Sequence, residues 1–310
     1  MALAPPPSLS VRQLPRGGGV SSSALSNPDH LLKLSGRLVL LIHGYNNDQE
    51  AGRQAYEGFR RAQRLLADLE TSQPITDKQF VDVYWPGDAD WGIGSPLYYP
   101  WSIDKAKESA AILASALARA AAERSFKEID IVTHSMGGRL TLELIKHLVL
   151  ELGVSVRRVV FMAAAVPTFM LDPEDAQQLR VAYNAKVQGA ATSLFSPNDM
   201  VLAVAFPLGQ TIAGTGEGWF PTALGHDIWS SHLTPSNLAQ QQVHGAGHSD
   251  YWGWNDATLD IALEANQYVR EFLQFNAAGS REMASRRVAD RPELEERPSD
   301  VRDRPGTFED

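Results

Sequence analysis

The chain has 310 residues, 44% of them hydrophobic, enough apolar side chain for one large core or two small ones. Its net charge of −9, with no basic run, lacks the Lys/Arg footprint that binding a phosphate backbone requires, so nucleic acid is not an expected partner. Cysteine is absent, which excludes disulfides, thiolate metal sites and a cysteine nucleophile together.

Residues 1–30 read as a flexible leader, rich in Pro and Gly up to Gly19 and without the apolar stretch of a signal peptide. The segment from Arg37 to His43 is a continuous apolar run, as expected for a strand buried on both faces. From Gln49 to Glu70, the residues Ala51, Ala55, Phe59, Ala62, Leu65, Leu66 and Leu69 recur at spacings of three and four, which predicts a one-faced helix. A second strand is predicted over Phe80–Trp85, an Ala-rich helix over Lys105–Glu123, and a third strand over Glu128–Val132. That strand runs into a Thr-His-Ser-Met-Gly-Gly turn, and a further helix is predicted from Arg139.

Val156–Ala164 and Val187–Phe195 supply two more predicted strands, and Asp256–Phe275 a closing helix. Such alternation predicts an α/β domain over residues 31–277, a doubly wound, mostly parallel sheet flanked by helices. The longest apolar stretches, Leu38–Ile42 and Val159–Val166, fall far short of the ~20 residues that cross a bilayer. No transmembrane segment is expected, and a soluble, cytoplasmic protein is. Residues 278–310 are of mixed charge and poor in apolar side chains, and read as a disordered tail.

A serine hydroxyl attacks a carbonyl only when a rigid turn holds it beside a base, with amide donors facing the developing oxyanion. Thr133-His134-Ser135-Met136-Gly137 is placed to be that turn, with a strand directly before it and a helix directly after. Gly137 and Gly138 match the small-residue requirement on one side, whereas Thr133 stands where glycine is usual on the other. A second signal is His43-Gly44-Tyr45-Asn46-Asn47 at the end of the first apolar strand. Amides placed there can face the nucleophile turn, and Tyr45 with Met136 would form an oxyanion hole.

These two motifs together resemble the α/β-hydrolase superfamily, and in particular bacterial serine esterase-like members with His-Gly-Tyr-Asn-Asn early and His-Ser-Met-Gly at the nucleophile. The resemblance covers about residues 37–275 and implies the α/β-hydrolase fold, with nucleophile, acid and histidine following in that order. In that order, Asp199 in Ser196-Pro197-Asn198-Asp199 is the favoured acid, although an Asx turn would explain the same residues. Asp172 is the runner-up. His248, in a Gly-Ala-Gly-His-Ser loop before the last helix, is the favoured base. His244 stays open by spacing, and His226 fits less well. His134 adjoins Ser135, and because adjacent side chains on such a turn diverge it is assigned either to packing or to supporting the residues that react.

The interval between Asp199 and His248 leaves room for a cap-like insertion over about residues 200–240. Trp219 there, with Trp85, Trp91 and Tyr98 after the second strand, suggests an apolar substrate pocket, although rings stapling loops to the core would read the same. The expected activity is hydrolysis of a small-molecule ester through an acyl-enzyme. Transfer to another acceptor, a thioester or amide substrate, and a non-catalytic ligand-binding protein of the same fold are the alternatives. No recognised ligand spacing supports a metal, and no cofactor is expected.

Overall fold

Runs of β-branched and leucine side chains can hide from water only if both faces of their strands are covered, and Leu38–Ile42 and Glu128–His134 lie in the middle of an eight-stranded sheet. The computed structural model describes residues 6–26, 38–69, 80–88, 99–123, 126–151, 153–175, 177–213, 221–228 and 233–274. In chain order these residues form β1 (Ser8–Arg12), β2 (Val20–Ser26), β3 (Leu38–Ile42), α1 (Gln49–Leu69), β4 (Phe80–Tyr84), α2 (Tyr99–Glu123), β5 (Glu128–His134) and α3 (Gly137–Leu150). There follow β6 (Ser155–Met162), α4 (Leu179–Lys186), β7 (Val187–Phe195), α5 (Phe206–Ala213), β8 (Leu238–Gln242) and α6 (Leu259–Phe272). The order across the sheet is β2-β1-β4-β3-β5-β6-β7-β8, with only the β1–β2 pair antiparallel.

The predicted α/β sheet is thus present, and the register of its centre sets the site. Ile42 pairs with Thr133, and His134 pairs with Met162, so β3, β5 and β6 end level with one another and their following turns meet. In open α/β sheets this carboxyl edge is where ligands are handled. Helix α1 covers the sheet with a face slightly different from the predicted one. Ala55, Phe59, Ala62 and Leu66 are buried as expected, joined by Tyr56 and Gln63, while Leu69 is 77% exposed.

The N-terminal reading requires correction. Residues 8–26 are a β-hairpin on the sheet edge, not a flexible leader. Leu9, Val11 and Val20 are its buried anchors, and the remaining residues are mostly polar, which is why apolar patterning did not reveal it. Arg12 fastens it: its buried guanidinium lies 2.6 Å from Asp88 and donates to the Trp85 carbonyl at 2.8 Å. The edge strand β8 was also not predicted. Its Leu-Ala-Gln-Gln-Gln sequence carries one large apolar side chain, and ladder bonds to β7 hold it rather than burial.

Strand β8 begins at Leu238, within the end of the span expected to be a cap. The described residues before β8 are a single π-helical turn, Val201–Ala205, then α5, residues 233–237, and residues 221–228. The latter fold back onto the sheet end, with the Gly225 amide donating to the Ala164 carbonyl at 3.0 Å. The expected tail, residues 278–310, lies outside the described residues. Among the described residues, no helix is long and apolar enough to cross a membrane.

Candidate functional site

The turn after β5 puts Ser135 into the left-handed region at φ 53°, a conformation costing a non-glycine residue ~1–3 kcal/mol that only a well-fixed surround sustains. The surround is visible in the main chain. The Ser135 amide donates to the Met162 carbonyl at 3.0 Å, and the Ser135 carbonyl accepts from the amides of Ala165 and Gly138 at 3.0 and 2.9 Å. Gly137 is glycine for a steric reason: a Cβ there would lie 2.6 Å from the His43 carbonyl oxygen and 2.7 Å from Thr133 Oγ1. Thr133 stands where a glycine is usual. It continues strand β5, fully buried, and its side chain fills the space that a residue larger than glycine at 137 would need.

Ser135 Oγ lies 2.8 Å from His248 Nε2, and His248 Nδ1 lies 2.7 Å from Asp199 Oδ2. The three residues come from the turns after β5, β7 and β8, so parallel strands ending at one edge bring together groups up to 113 residues apart. Asp199 is fully buried, and its other oxygen accepts the Leu202 amide at 3.0 Å. An ionised carboxylate only accepts, so His248 Nδ1 carries the hydrogen and Nε2 offers a lone pair to the Ser135 hydroxyl. His248 stands in a loop held by Asp250, which accepts the Gly247 amide at 2.8 Å.

The alternatives left open by spacing are placed elsewhere. His244 is on the surface, paired with Glu264 at 3.0 Å. Asp172 ends a 3-10 turn, Thr168–Leu171, with its amide on the Phe169 carbonyl, while the carboxylate against His248 is that of Asp199. His226 is not among the groups bonded to the Ser135, His248 and Asp199 side chains.

The end of β3 meets the same turn. A Cβ on Gly44 would be 2.7 Å from Ser135 Cβ, which places the Gly44–Tyr45 segment directly against the serine. Met136, whose amide begins the N-terminus of α3, is fully buried, and no acceptor among the described residues takes up that amide. Such a helix end favours negative charge. His43 steadies the β3 end: its Nδ1–H donates to the Gly44 carbonyl at 2.9 Å and its amide donates to Tyr56 Oη at 2.9 Å.

Trp85 requires a second correction. It was expected to line a substrate pocket but is 0% exposed. Its ring stacks on His43 with centroids 5.8 Å apart, and its Nε1–H donates to the His43 carbonyl at 2.8 Å. The side chain braces the β3 end and cannot face a ligand from there. Trp91, Tyr98 and Trp219 lie outside the described residues. What the sequence did not show is the bond from Trp85 to the His43 carbonyl, the hold of Arg12 on the Trp85 carbonyl, and the bond from His134 Nε2 to the His248 carbonyl at 2.6 Å. Apart from the His-Gly pair, no local signal points to it. Among the described residues, no group of three or more His, Asp or Glu side chains is placed to hold a metal ion.

Burial holds two of these histidines neutral. His43 is pulled down from 6.5 to about 4, and His134 from 6.5 to about 3, in each case chiefly because a buried imidazolium loses its hydration. Because the folded state resists these protons and the unfolded chain does not, stability is complete above about pH 6.5 and lost as pH falls. Between pH 6.5 and 5, above the range where ordinary carboxylates titrate, the unfolding free energy should drop by about 1 kcal/mol per pH unit for each histidine. Urea midpoints measured across that range should fall, with a shallower slope in His134→Gln. A flat or rising profile contradicts this assignment.

A sheet of this strand order, with a left-handed serine between a strand and a helix at its carboxyl edge, defines the α/β-hydrolase fold. The sequence matches, over residues 25–217, the family described as "Alpha/beta hydrolase of unknown function (DUF900)". The chain belongs to that family and is a hydrolase of the α/β class. No curated protein matches the sequence.

Solved structures similar to it include a putative cell surface hydrolase from Lactobacillus plantarum WCFS1, at 12% identity and TM-score 0.43, covering 77% of this chain and 92% of that one. Others are a predicted CIB-like hydrolase from Thermoplasma acidophilum (16%, TM-score 0.39, 77% and 88%) and a Pyrococcus furiosus esterase (14%, TM-score 0.37, 77% and 82%).

Proposed function

We propose that the protein is a serine hydrolase that cleaves a carboxylic ester of a small molecule through an acyl-enzyme. The observation that carries this reading is the continuous path Ser135 Oγ, His248 Nε2, His248 Nδ1, Asp199 Oδ2, with both links under 3 Å. Ser135 attacks the carbonyl carbon while His248 Nε2 takes its proton, and the carbonyl π electrons move onto oxygen. The amides of Tyr45 and Met136 receive that oxyanion. Collapse expels the alcohol, which takes the proton back from His248, and leaves Ser135 acylated. Water, deprotonated by the same nitrogen, then releases the acid and restores the serine. Asp199 keeps His248 in the tautomer with Nδ1 protonated and stabilises the imidazolium formed twice per cycle.

A fluorophosphonate is the direct probe, because its phosphorus accepts the activated serine oxygen and stops there. One label per chain, on the peptide containing Ser135, is expected. A p-nitrophenyl ester series of increasing acyl length should give steady release of the phenol, and an initial burst where deacylation is slow. Parallel thioester and anilide substrates, with and without added alcohol, separate ester hydrolysis from the other acyl chemistries. Failure of Ser135 to label, with no acyl substrate turned over, would instead favour a ligand-binding protein of this fold.

A further inference from the structure

His134 is the buried histidine beside the nucleophile that the acyl-enzyme scheme does not use. It is 4% exposed, and its ring is enclosed by His248, Trp252 and Tyr251 at centroid distances of 5.0, 5.8 and 6.1 Å. Its Nε2 lies 2.6 Å from the backbone carbonyl oxygen of His248. A carbonyl only accepts, so Nε2 must carry the hydrogen. Burial, which pulls this ring down to about 3, keeps it in that neutral donor form. Nδ1, on the other side, faces Gly44, where a Cβ would be 3.0 Å away.

The His248 loop needs such a tie. It contains Gly245, at φ 69°, and Gly247, so its backbone is intrinsically permissive. The bond of His248 to Ser135 is one that catalysis must break and remake, because Nε2 gains and loses a proton twice per turnover. The bond to Asp199 changes strength as the ring charges. The carbonyl tie to His134 involves neither ring nitrogen of His248, so proton transfer at Nε2 does not itself break it.

We infer that His134 is a positioning residue: it fastens the main chain of the base to the residue preceding the nucleophile, so that one rigid turn sets the Ser135–His248 distance. This rests on the reading of Ser135, His248 and Asp199 as the reacting triad.

Three full-length variants test it. Gln at 134 carries an amide nitrogen that reaches about as far as Nε2. Asn carries the same group too short to reach, and Phe keeps the ring without the donor. With the best p-nitrophenyl ester, His134→Phe and His134→Asn should each lower kcat about 30-fold with KM within about 2-fold, whereas His134→Gln stays within about 3-fold of the parent, as expected when a reacting group is misplaced by a fraction of an ångström.

Proton NMR adds a readout that packing alone would not move. The far-downfield resonance of His248 Nδ1–H, assigned by its loss in His248→Ala, should persist in the parent and His134→Gln and broaden in the other two. Equal kcat and an intact resonance in His134→Asn overturn the inference, as does an equal loss in all three variants, which would point to ring volume. Should His134→Phe fail to fold, Gln against Asn decides. If Ser135→Ala retains full turnover, both readings fall. If it is inactive while His134→Asn matches the parent, only the positioning role does.

Discussion

Ser135→Ala and His248→Ala should each lower kcat for short acyl esters by about 10⁵-fold or more, and the double variant should be no slower than either alone. In the proposed mechanism hydroxyl and imidazole act as one device. With Oγ gone there is no proton for Nε2 to take, and with the imidazole gone the hydroxyl remains at its ordinary, unreactive acidity. Asp199→Asn should cost about 10⁴-fold by a different route. Its amide can donate toward Nδ1, favouring the tautomer with hydrogen on Nε2, which can no longer accept from Ser135.

Because Ser135 is held by three main-chain bonds that an alanine keeps, Ser135→Ala should fold as the parent does. Initial rates with p-nitrophenyl acetate, beside thermal unfolding of each variant, are the measurements. Independent, multiplying losses in the double variant would show that the two residues do not act together, and unchanged turnover in Ser135→Ala would remove the serine from the chemistry.

Gly44→Ala should be strongly damaging although it removes none of those three side chains. The added methyl would sit 2.7 Å from Ser135 Cβ, 3.0 Å from His134 Nδ1 and 3.2 Å from the His134 carbonyl oxygen. None of these is the far end of a flexible side chain: two belong to the strained turn itself and the third to a boxed-in ring. Either the end of β3 or the nucleophile turn must move. Movement of about 1 Å at reacting groups costs about 10²-fold, and loss of one oxyanion donor about 10²–10³-fold. A fall in kcat/KM of at least about 100-fold is expected, with fluorophosphonate labelling slowed in proportion.

Overpacking should also lower stability, by about 1–3 kcal/mol, visible as a reduced urea midpoint. A Gly44→Ala enzyme with full activity would mean that the β3 end does not take part in holding the oxyanion. The His43 and Trp85 contacts behind Gly44 explain why relaxation is difficult there. The strand end is stacked, hydrogen-bonded and without space to retreat.

The middle of the fold was legible in the amino-acid sequence because its signals are local. Leu38–Ile42 is apolar throughout since both faces are covered, α1 repeats every three to four residues since one face is, and Ser135 stands between a strand and a helix. The sheet edges were not legible. β2 and β8 are held mainly by ladder bonds to a neighbour, and backbone groups are the same in every sequence, so Leu-Ala-Gln-Gln-Gln carries little sign of a strand, while in β1 the alternation of Leu9 and Val11 with serines is only five residues long and stands beside Pro and Gly. Trp85 was misassigned for a related reason: an aromatic residue after a strand reads alike whether its ring meets a ligand or, as here, a histidine beneath the neighbouring strand end.

For the site, the sequence by itself carried the strand-turn-helix around Ser135 and the order in which Asp199 and His248 follow, because chain order and local composition are properties of the sequence. Only the tertiary structure shows which of these side chains meet. It buried Asp199 against His248, sent His244 out to Glu264, and set Gly44 on the serine, because each of these depends on how far apart the parallel strands end. The same register gave His134, which the sequence left between packing and a supporting role, a bond to the main chain of His248.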